Sequence, residues 1–198
     1  MKKEILIVLL NQFADWEGAF IAPCLNLGIK PGRPVSYTVK TLSASRDIVT
    51  SLGGIQILPD YDIHSIPEDY AGLILIGGST NWFSDEAKFI VPLVEKAIQE
   101  NKLVAGICNT SVFLGMYGFL NNVKHTSNTL EYLKKYAGEK YTGEANYVSQ
   151  PAVRDGNIVT ANGTAYLEFC REILYALDAD TSEIIEEGYL FYKENGLG

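Results

Sequence analysis

The sequence predicts an α/β fold: a three-layer sandwich with a mostly parallel central sheet. Three observations predict it. Runs that are apolar almost throughout recur along the chain, at Glu4–Leu10 (EILIVLL), Leu73–Ile76 and Leu103–Ile107. Strands without polar alternation are buried on both faces, as in parallel sheets covered by helices. Segments of helical period separate these runs, and such alternation builds parallel sheets. Two of the runs also end in residues suited to a site, Gly77-Gly78 and Cys108. Open α/β sheets bind their ligands beyond the carboxyl ends of the strands.

After the first strand, a helix is expected from Trp16 to about Leu27, with Asp15 placed to cap it and Gly28 to stop it. Val35–Leu42 is rich in β-branched and aromatic residues and reads as a strand. Ile48–Thr50 and Ile55–Leu58 flank Gly53-Gly54 as a small hairpin. Glu86–Glu100 carries a helical apolar stripe, and Pro92 inside it predicts a kink or a late start. Helices follow over Thr110–Tyr117 and Asn128–Tyr136. Val148–Val153 and Asn157–Ala161 form a hairpin across Asp155-Gly156. Ala165–Leu177 and Ser182–Tyr192 close the chain as helices.

The 198 residues fit a single domain over 1–198, with 47% hydrophobic and 20% charged residues. A net charge of −8 repels phosphate backbones and argues against nucleic-acid partners. The start, MKKEILIVLLNQF, resembles a leader only superficially. Glu4 edges its apolar run, Asn11-Gln12 ends it, and no small-residue cleavage site follows, so it reads as a buried strand. No stretch approaches the roughly 18 apolar residues of a membrane helix, so a cytoplasmic protein without a membrane partner is expected. The three cysteines, Cys24, Cys108 and Cys170, form no CxxC pair and read as free thiols of a reducing compartment. The two histidines, His64 and His125, stand at no ligand spacing, so neither metal nor cofactor is expected.

Cys108 sits where a strand turns into a helix, in AGICNT. A sharp strand–helix turn lifts its central side chain out of the backbone, as in the Gly-x-Ser-x-Gly elbow, although the trailing glycine is missing here. The helix dipole and free N–H groups at such a position lower a thiol's pKa. A buried structural cysteine is the competing reading. Cys24 and Cys170 fall within amphipathic segments and read as packing.

These features form an ordered series. DWEGAF, with Glu17, follows the first strand, and LILIGG precedes the AGIC elbow. FLGMYGFLNNVKHTS comes next, and VRDGNIVTANGTAYLEF closes the series. Together they resemble the ThiJ/PfpI superfamily, whose flavodoxin-like fold is that of class I glutamine amidotransferases. The resemblance runs over nearly the whole chain. It implies that Cys108 is the reactive cysteine and that Glu17 is the acid approaching its sulfur. It implies that the backbone N–H groups of Gly78 and Asn109 form an oxyanion site, and that the protein is a homodimer. The bare residues leave other readings open, an exposed helix-start acid for Glu17 and simple turn glycines at Gly77-Gly78.

Peptidases and amidases of that superfamily carry a histidine directly after the cysteine, where this chain has Asn109. Other members take one from a segment that here reads Glu144-Ala145-Asn146-Tyr147-Val148. His125 is left as the candidate imidazole, while His64 reads as a loop residue. Trp16, Asn81 and Trp82 are candidates for a pocket wall, with packing or a subunit interface as the alternative. The expected function is thiol chemistry on a small electrophile, an aldehyde or activated acyl group. Amidase or protease is the family label, and the lack of a general base argues against true proteolysis. A sensor of oxidative stress, with an oxidant as partner of Cys108, is the alternative. A third reading is a binding module for a small-molecule ligand.

Overall fold

The computed structural model describes residues 2–194. Six strands form the central sheet in the order β2-β1-β5-β6-β8-β7. They are β1 (Lys3–Val8), β2 (Tyr37–Leu42), β5 (Tyr70–Leu75), β6 (Leu103–Ile107), β7 (Ala152–Asp155) and β8 (Ile158–Ala161). All neighbours are parallel except β7, which pairs antiparallel with β8 at the edge. A two-stranded hairpin, β3 (Val49–Thr50) and β4 (Gln56–Ile57), stands apart from the sheet.

Alternate residues of β1 divide between two cores, which explains its continuous apolar run. Ile5 and Ile7 pack with Ile21, Leu25, Phe169 and Ile173 on one face. Leu6 and Val8 pack with Val94, Val112 and Leu133 on the other. The first face is covered by α1 (Asp15–Ala19), α2 (Ile21–Leu27), α6 (Tyr166–Ala176) and α7 (Ser182–Glu194). The second is covered by α3 (Val91–Gln99), α4 (Asn109–Met116) and α5 (Leu130–Ala137). This is the three-layer sandwich that the sequence predicts.

The helix expected over Trp16–Leu27 is two short helices that meet at Phe20. Pro23 has no N–H to donate to the carbonyl of Ala19, so the ladder breaks there and restarts with Pro23 in the first turn of α2. Gly28 ends α2 at φ 91°, its N–H donating to Cys24 O. Asp15 does not cap α1. Its carboxylate accepts from Ser51 Oγ and, at 2.8 Å, from Gly53 N, which ties the β3–β4 hairpin to the start of α1. Pro92 marks a late start: 3₁₀ turns over Glu86–Ile90 lead into α3.

Among the described residues no helix is long and apolar enough to cross a membrane.

Candidate active site at the elbow

The strand ends converge as the apolar runs suggest. The chain runs from β1 outward to β2 and then crosses to β5 on β1's other side, so the sheet's switch point lies between β1 and β5. Glu17 follows β1, Gly77-Gly78 follow β5, Cys108 ends β6 and Gly163 follows β8.

Cys108 adopts φ 59° and ψ −126°, a left-handed conformation costly for a residue with a side chain, directly before α4. Several bonds hold the bend. Cys108 N donates to Ala161 O at 3.0 Å. Thr110 Oγ1 donates to Ile107 O at 2.7 Å, and Ser111 Oγ to Cys108 O at 2.6 Å. The thiol is partly exposed.

Glu17 is 1% exposed, not a surface acid. Neither carboxyl oxygen makes a hydrogen bond of normal geometry, although the Cys108 thiol and the Gly77 amide lie against them. Burial pushes the Glu17 pKa up to about 8, more than those two neighbours pull it down. Cys108 departs from the expectation set by its helix-start position. Its pKa is raised by burial first and then by the charge of an ionised Glu17. Hydrogen bonds from Asn128 and the Asn109 amide offset this only in part. The helix end stabilises an anion by roughly 1 kcal/mol, and desolvation outweighs it. The charge of one group opposes ionisation of the other, so the two titrate as a pair.

Backbone is packed tightly here. A Cβ on Gly77 would lie 2.8 Å from Cys108 Cβ and 2.8 Å from Glu17 Oε2. One on Gly78, at φ 146°, would lie 2.2 Å from Gln12 O. The bridge between Gly78 and Phe13 is made by Ala14 N to Gly77 O and Ser79 N to Gln12 O, leaving the Gly78 amide outside it. Asn109 is buried, and its side chain has a separate task. It donates to Gly78 O at 2.9 Å and Ser79 O at 3.1 Å, and it accepts from Tyr132 Oη at 3.0 Å. The glycine loop is thereby pinned to the elbow.

Two neighbours of the sulfur, Asn128 and Gly163, are not among the residues that the sequence singles out. Asn128 Nδ2 lies 3.5 Å from Cys108 Sγ, and its Oδ1 accepts from Gly163 N at 2.9 Å. A Cβ on Gly163 would come within 2.9 Å of Sγ and 3.3 Å of Glu17 Oε1. Trp16 Nε1 donates to Gly163 O at 2.9 Å, so that peptide is held from both sides. The only cue was position: VKHTSN follows the elbow helix, and NGT follows the last parallel strand.

Two pocket candidates, His125 and Trp82, are corrected. His125 is fully buried, with Nδ1 2.8 Å from Val123 O and Nε2 2.7 Å from Tyr141 Oη, which leaves no ring nitrogen for Cys108. Burial also lowers its pKa. Trp82 is a core residue, 2% exposed, donating to Ile76 O at 2.7 Å and packed on Phe113. Asn81 fastens its loop by donating to Asn11 O at 2.5 Å. Trp16 stands at the rim, 49% exposed. His64 is exposed in the loop before β5.

Fold and site together define a class: parallel-sheet proteins with a cysteine on the strand–helix elbow and a buried acid beside it. Within that class the chain belongs to the DJ-1/PfpI family, whose model matches residues 3–176. It is 40% identical over 185 residues to "Uncharacterized protease YdeA" of Bacillus subtilis (strain 168), covering 93% of this chain and 88% of that one. "Uncharacterized protease YoaZ" of the same organism is 32% identical over 192 residues, covering 96% and 91%. Among solved structures, a ThiJ/PfpI family protein from Bacillus anthracis superposes with a TM-score of 0.90 at 34% identity, covering 98% of this chain and 92% of its own. A DJ-1 superfamily protein from Agrobacterium tumefaciens gives 0.84 at 36% identity, covering 97% and 98%.

Proposed function

We propose that the protein acts on small reactive electrophiles, aldehydes first, through Cys108 with Glu17 as its proton relay. One observation carries this reading: a buried carboxyl group, both oxygens otherwise unbonded, set against a partly exposed thiol. At neutral pH both groups are protonated. A neutral carboxylic acid can accept a proton at one oxygen while giving one from the other. In the covalent step the sulfur bonds to the carbonyl carbon as the C=O π bond breaks. The thiol proton passes to one Glu17 oxygen, and the Glu17 proton passes to the carbonyl oxygen. The product is a hemithioacetal with Glu17 unchanged. The Asn109 amide, directed at the sulfur, and the Gly78 amide are the donors for the developing oxyanion.

Peptide-bond cleavage is a poorer fit despite the relatives' names. A stable amide needs a strong general base, typically worth about 10² to 10⁴ in rate, and the imidazole of His125 is bonded elsewhere.

The test is turnover of methylglyoxal or a small ester. The wild type is expected to turn over, Cys108→Ala to be inactive, and Glu17→Gln to lose on the order of 10²-fold or more. Equal rates in the wild type and Cys108→Ala would sink the proposal.

A second reading, a peroxide sensor, is favoured by the donors around the sulfur, Asn128 Nδ2 and the Asn109 amide, which suit an oxidised anion. It predicts a gain of two oxygens on Cys108 at low peroxide without turnover. Inertness in both assays would leave a binding module.

The cytoplasmic setting is part of this proposal, as is a homodimer. Ile48, Leu52, Ile55 and Leu58 of the β3–β4 hairpin are each at least half exposed, an apolar edge suited to a second copy. Light scattering on the purified protein distinguishes dimer from monomer.

A further inference from the structure

The proton relay proposed above does not employ the side-chain amide of Asn128. Bonds on both sides place this residue. Before it, Ser127 Oγ pairs with Ser111 Oγ of α4 at 2.8 Å, and Thr126 N donates to Thr160 Oγ1 of β8 at 2.8 Å. After it, Thr129 caps α5 by accepting from Tyr132 N at 3.0 Å. The segment is thus fastened to the elbow helix, to β8 and to α5. The two ends of the amide are not interchangeable. Gly163 N–H can only donate, so it takes Oδ1, at 2.9 Å. Nδ2 is then the end that meets Cys108 Sγ, at 3.5 Å. The far side of the Gly163 peptide is held by Trp16 Nε1.

We infer that Asn128 is a catalytic residue of the thiol addition: its amide donates to Cys108 Sγ, leaves the thiol proton directed at Glu17, and stabilises the sulfur as charge builds on it. The inference rests on Cys108 being the nucleophile of the reading above. A thiol sulfur donates one hydrogen and accepts weakly. With Nδ2 on an accepting side, the S–H faces the carboxyl group that must take its proton. As the proton passes to Glu17 the sulfur becomes more negative, and a hydrogen bond to a charged group is about twice as strong as a neutral one. In the hemithioacetal the sulfur is a neutral thioether, and the bond weakens again. The help is therefore greatest between thiol and adduct, where it lowers the barrier. Burial first and the Glu17 charge second raise the Cys108 pKa, and the Asn128 bond works against both. An imidazole would supply such a donor only while holding its proton. An amide does not titrate near neutrality, so this donor is present at every working pH. His125, three residues earlier in VKHTSN, is bonded to Val123 O and Tyr141 Oη instead.

The test compares Asn128→Asp and Asn128→Ala in the full-length chain by iodoacetamide alkylation of Cys108 at neutral pH, where a half-buried aspartate is ionised. Asn128→Asp keeps an oxygen for Gly163 N but sets an acceptor against the sulfur. Asn128→Ala removes both contacts without adding charge. Both are expected to slow alkylation on the order of tenfold, and to lower kcat for methylglyoxal likewise with KM nearly unchanged. Slowing in Asn128→Ala alone would mean that the residue only holds Gly163. Slowing in Asn128→Asp alone would mean that only the new charge acts. Either result, or wild-type rates in both, overturns the proposal. Wild-type protein gives a measurement that no variant's folding can spoil. The Asn128 side-chain amide protons, followed by NMR, should shift with the same midpoint as Cys108 alkylation, and a flat trace overturns the proposal. If the wild type leaves methylglyoxal untouched while alkylation slows in both variants, the aldehyde reading fails and the donor role stands. Turnover with unchanged alkylation in both variants removes Asn128 alone.

Discussion

From pH 4.5 to about 8 a carboxyl group buried as Glu17 is keeps its proton, so the thiol beside it has a neutral neighbour. Above that range the carboxylate charge adds to burial and holds the thiol up. Iodoacetamide alkylation of Cys108 in the wild type should therefore have a midpoint above the ordinary value of about 8.5. Glu17→Gln removes the charge, and the midpoint should fall; a superimposable curve would mean that the acid and sulfur are not coupled. Gly163 supplies a second residue-scale test. A methyl group there meets Sγ at 2.9 Å, so Gly163→Ala should slow alkylation on the order of tenfold, the effect of about 1–2 kcal/mol of steric displacement. An unchanged rate would place the approach to the sulfur on another side. The elbow at Cys108 and the strand end at Gly77-Gly78 leave marks in sequence order, whereas Glu17 is picked out only by the family resemblance, since its bare position equally suits an exposed helix-start acid. Asn128 and Gly163 leave no such mark, since a polar residue in a loop and a glycine after a strand gain meaning only when folding brings them to the sulfur. The direction of the thiol shift departs from the helix-end expectation for the same reason. A helix end is visible in sequence, and desolvation is not.

Elements show where local rules gave way to tertiary contacts. The strands and the Gly28 stop were readable because burial on both faces and a helix end each impose a residue type. The break at Phe20 follows from Pro23, a helix-restarting residue that the sequence carries. Asp15 looks like a cap by position, yet it grips the hairpin through Ser51 Oγ and Gly53 N, contacts more than 30 residues away in the chain. Asp15→Ala should loosen the hairpin at a cost of roughly 1–2 kcal/mol. The check is urea unfolding, together with faster amide exchange at Gly53 and Ile55. The Ser51 hydrogen bond lowers the Asp15 pKa. Its stabilisation is therefore complete above the unfolded carboxyl value of about 3.9 and fades as pH falls through the lower folded value. In Asp15→Ala that acid-side loss should be absent.

Across the whole molecule the buried acid makes stability depend on pH. Once pH exceeds 4.5 the unfolded chain releases the Glu17 proton, while the folded chain keeps it to about 8. The native state thus binds more protons over this window, and stability falls as pH rises through it. By pH 7 the cost is on the order of 3 kcal/mol, and Glu17→Gln should recover most of it. Urea unfolding at pH 5 and pH 8 should show the variant's advantage widening with pH, whereas parallel stabilities would argue that the acid ionises freely. A site that destabilises its own scaffold in this way is expected where chemistry requires a neutral acid in a dry setting. The claim is read most directly from the titration of the Glu17 carboxyl carbon itself, by ¹³C NMR of glutamate-labelled protein with the Glu17→Gln spectrum subtracted. A midpoint near 8 is predicted, and one near 4.5 would contradict the account.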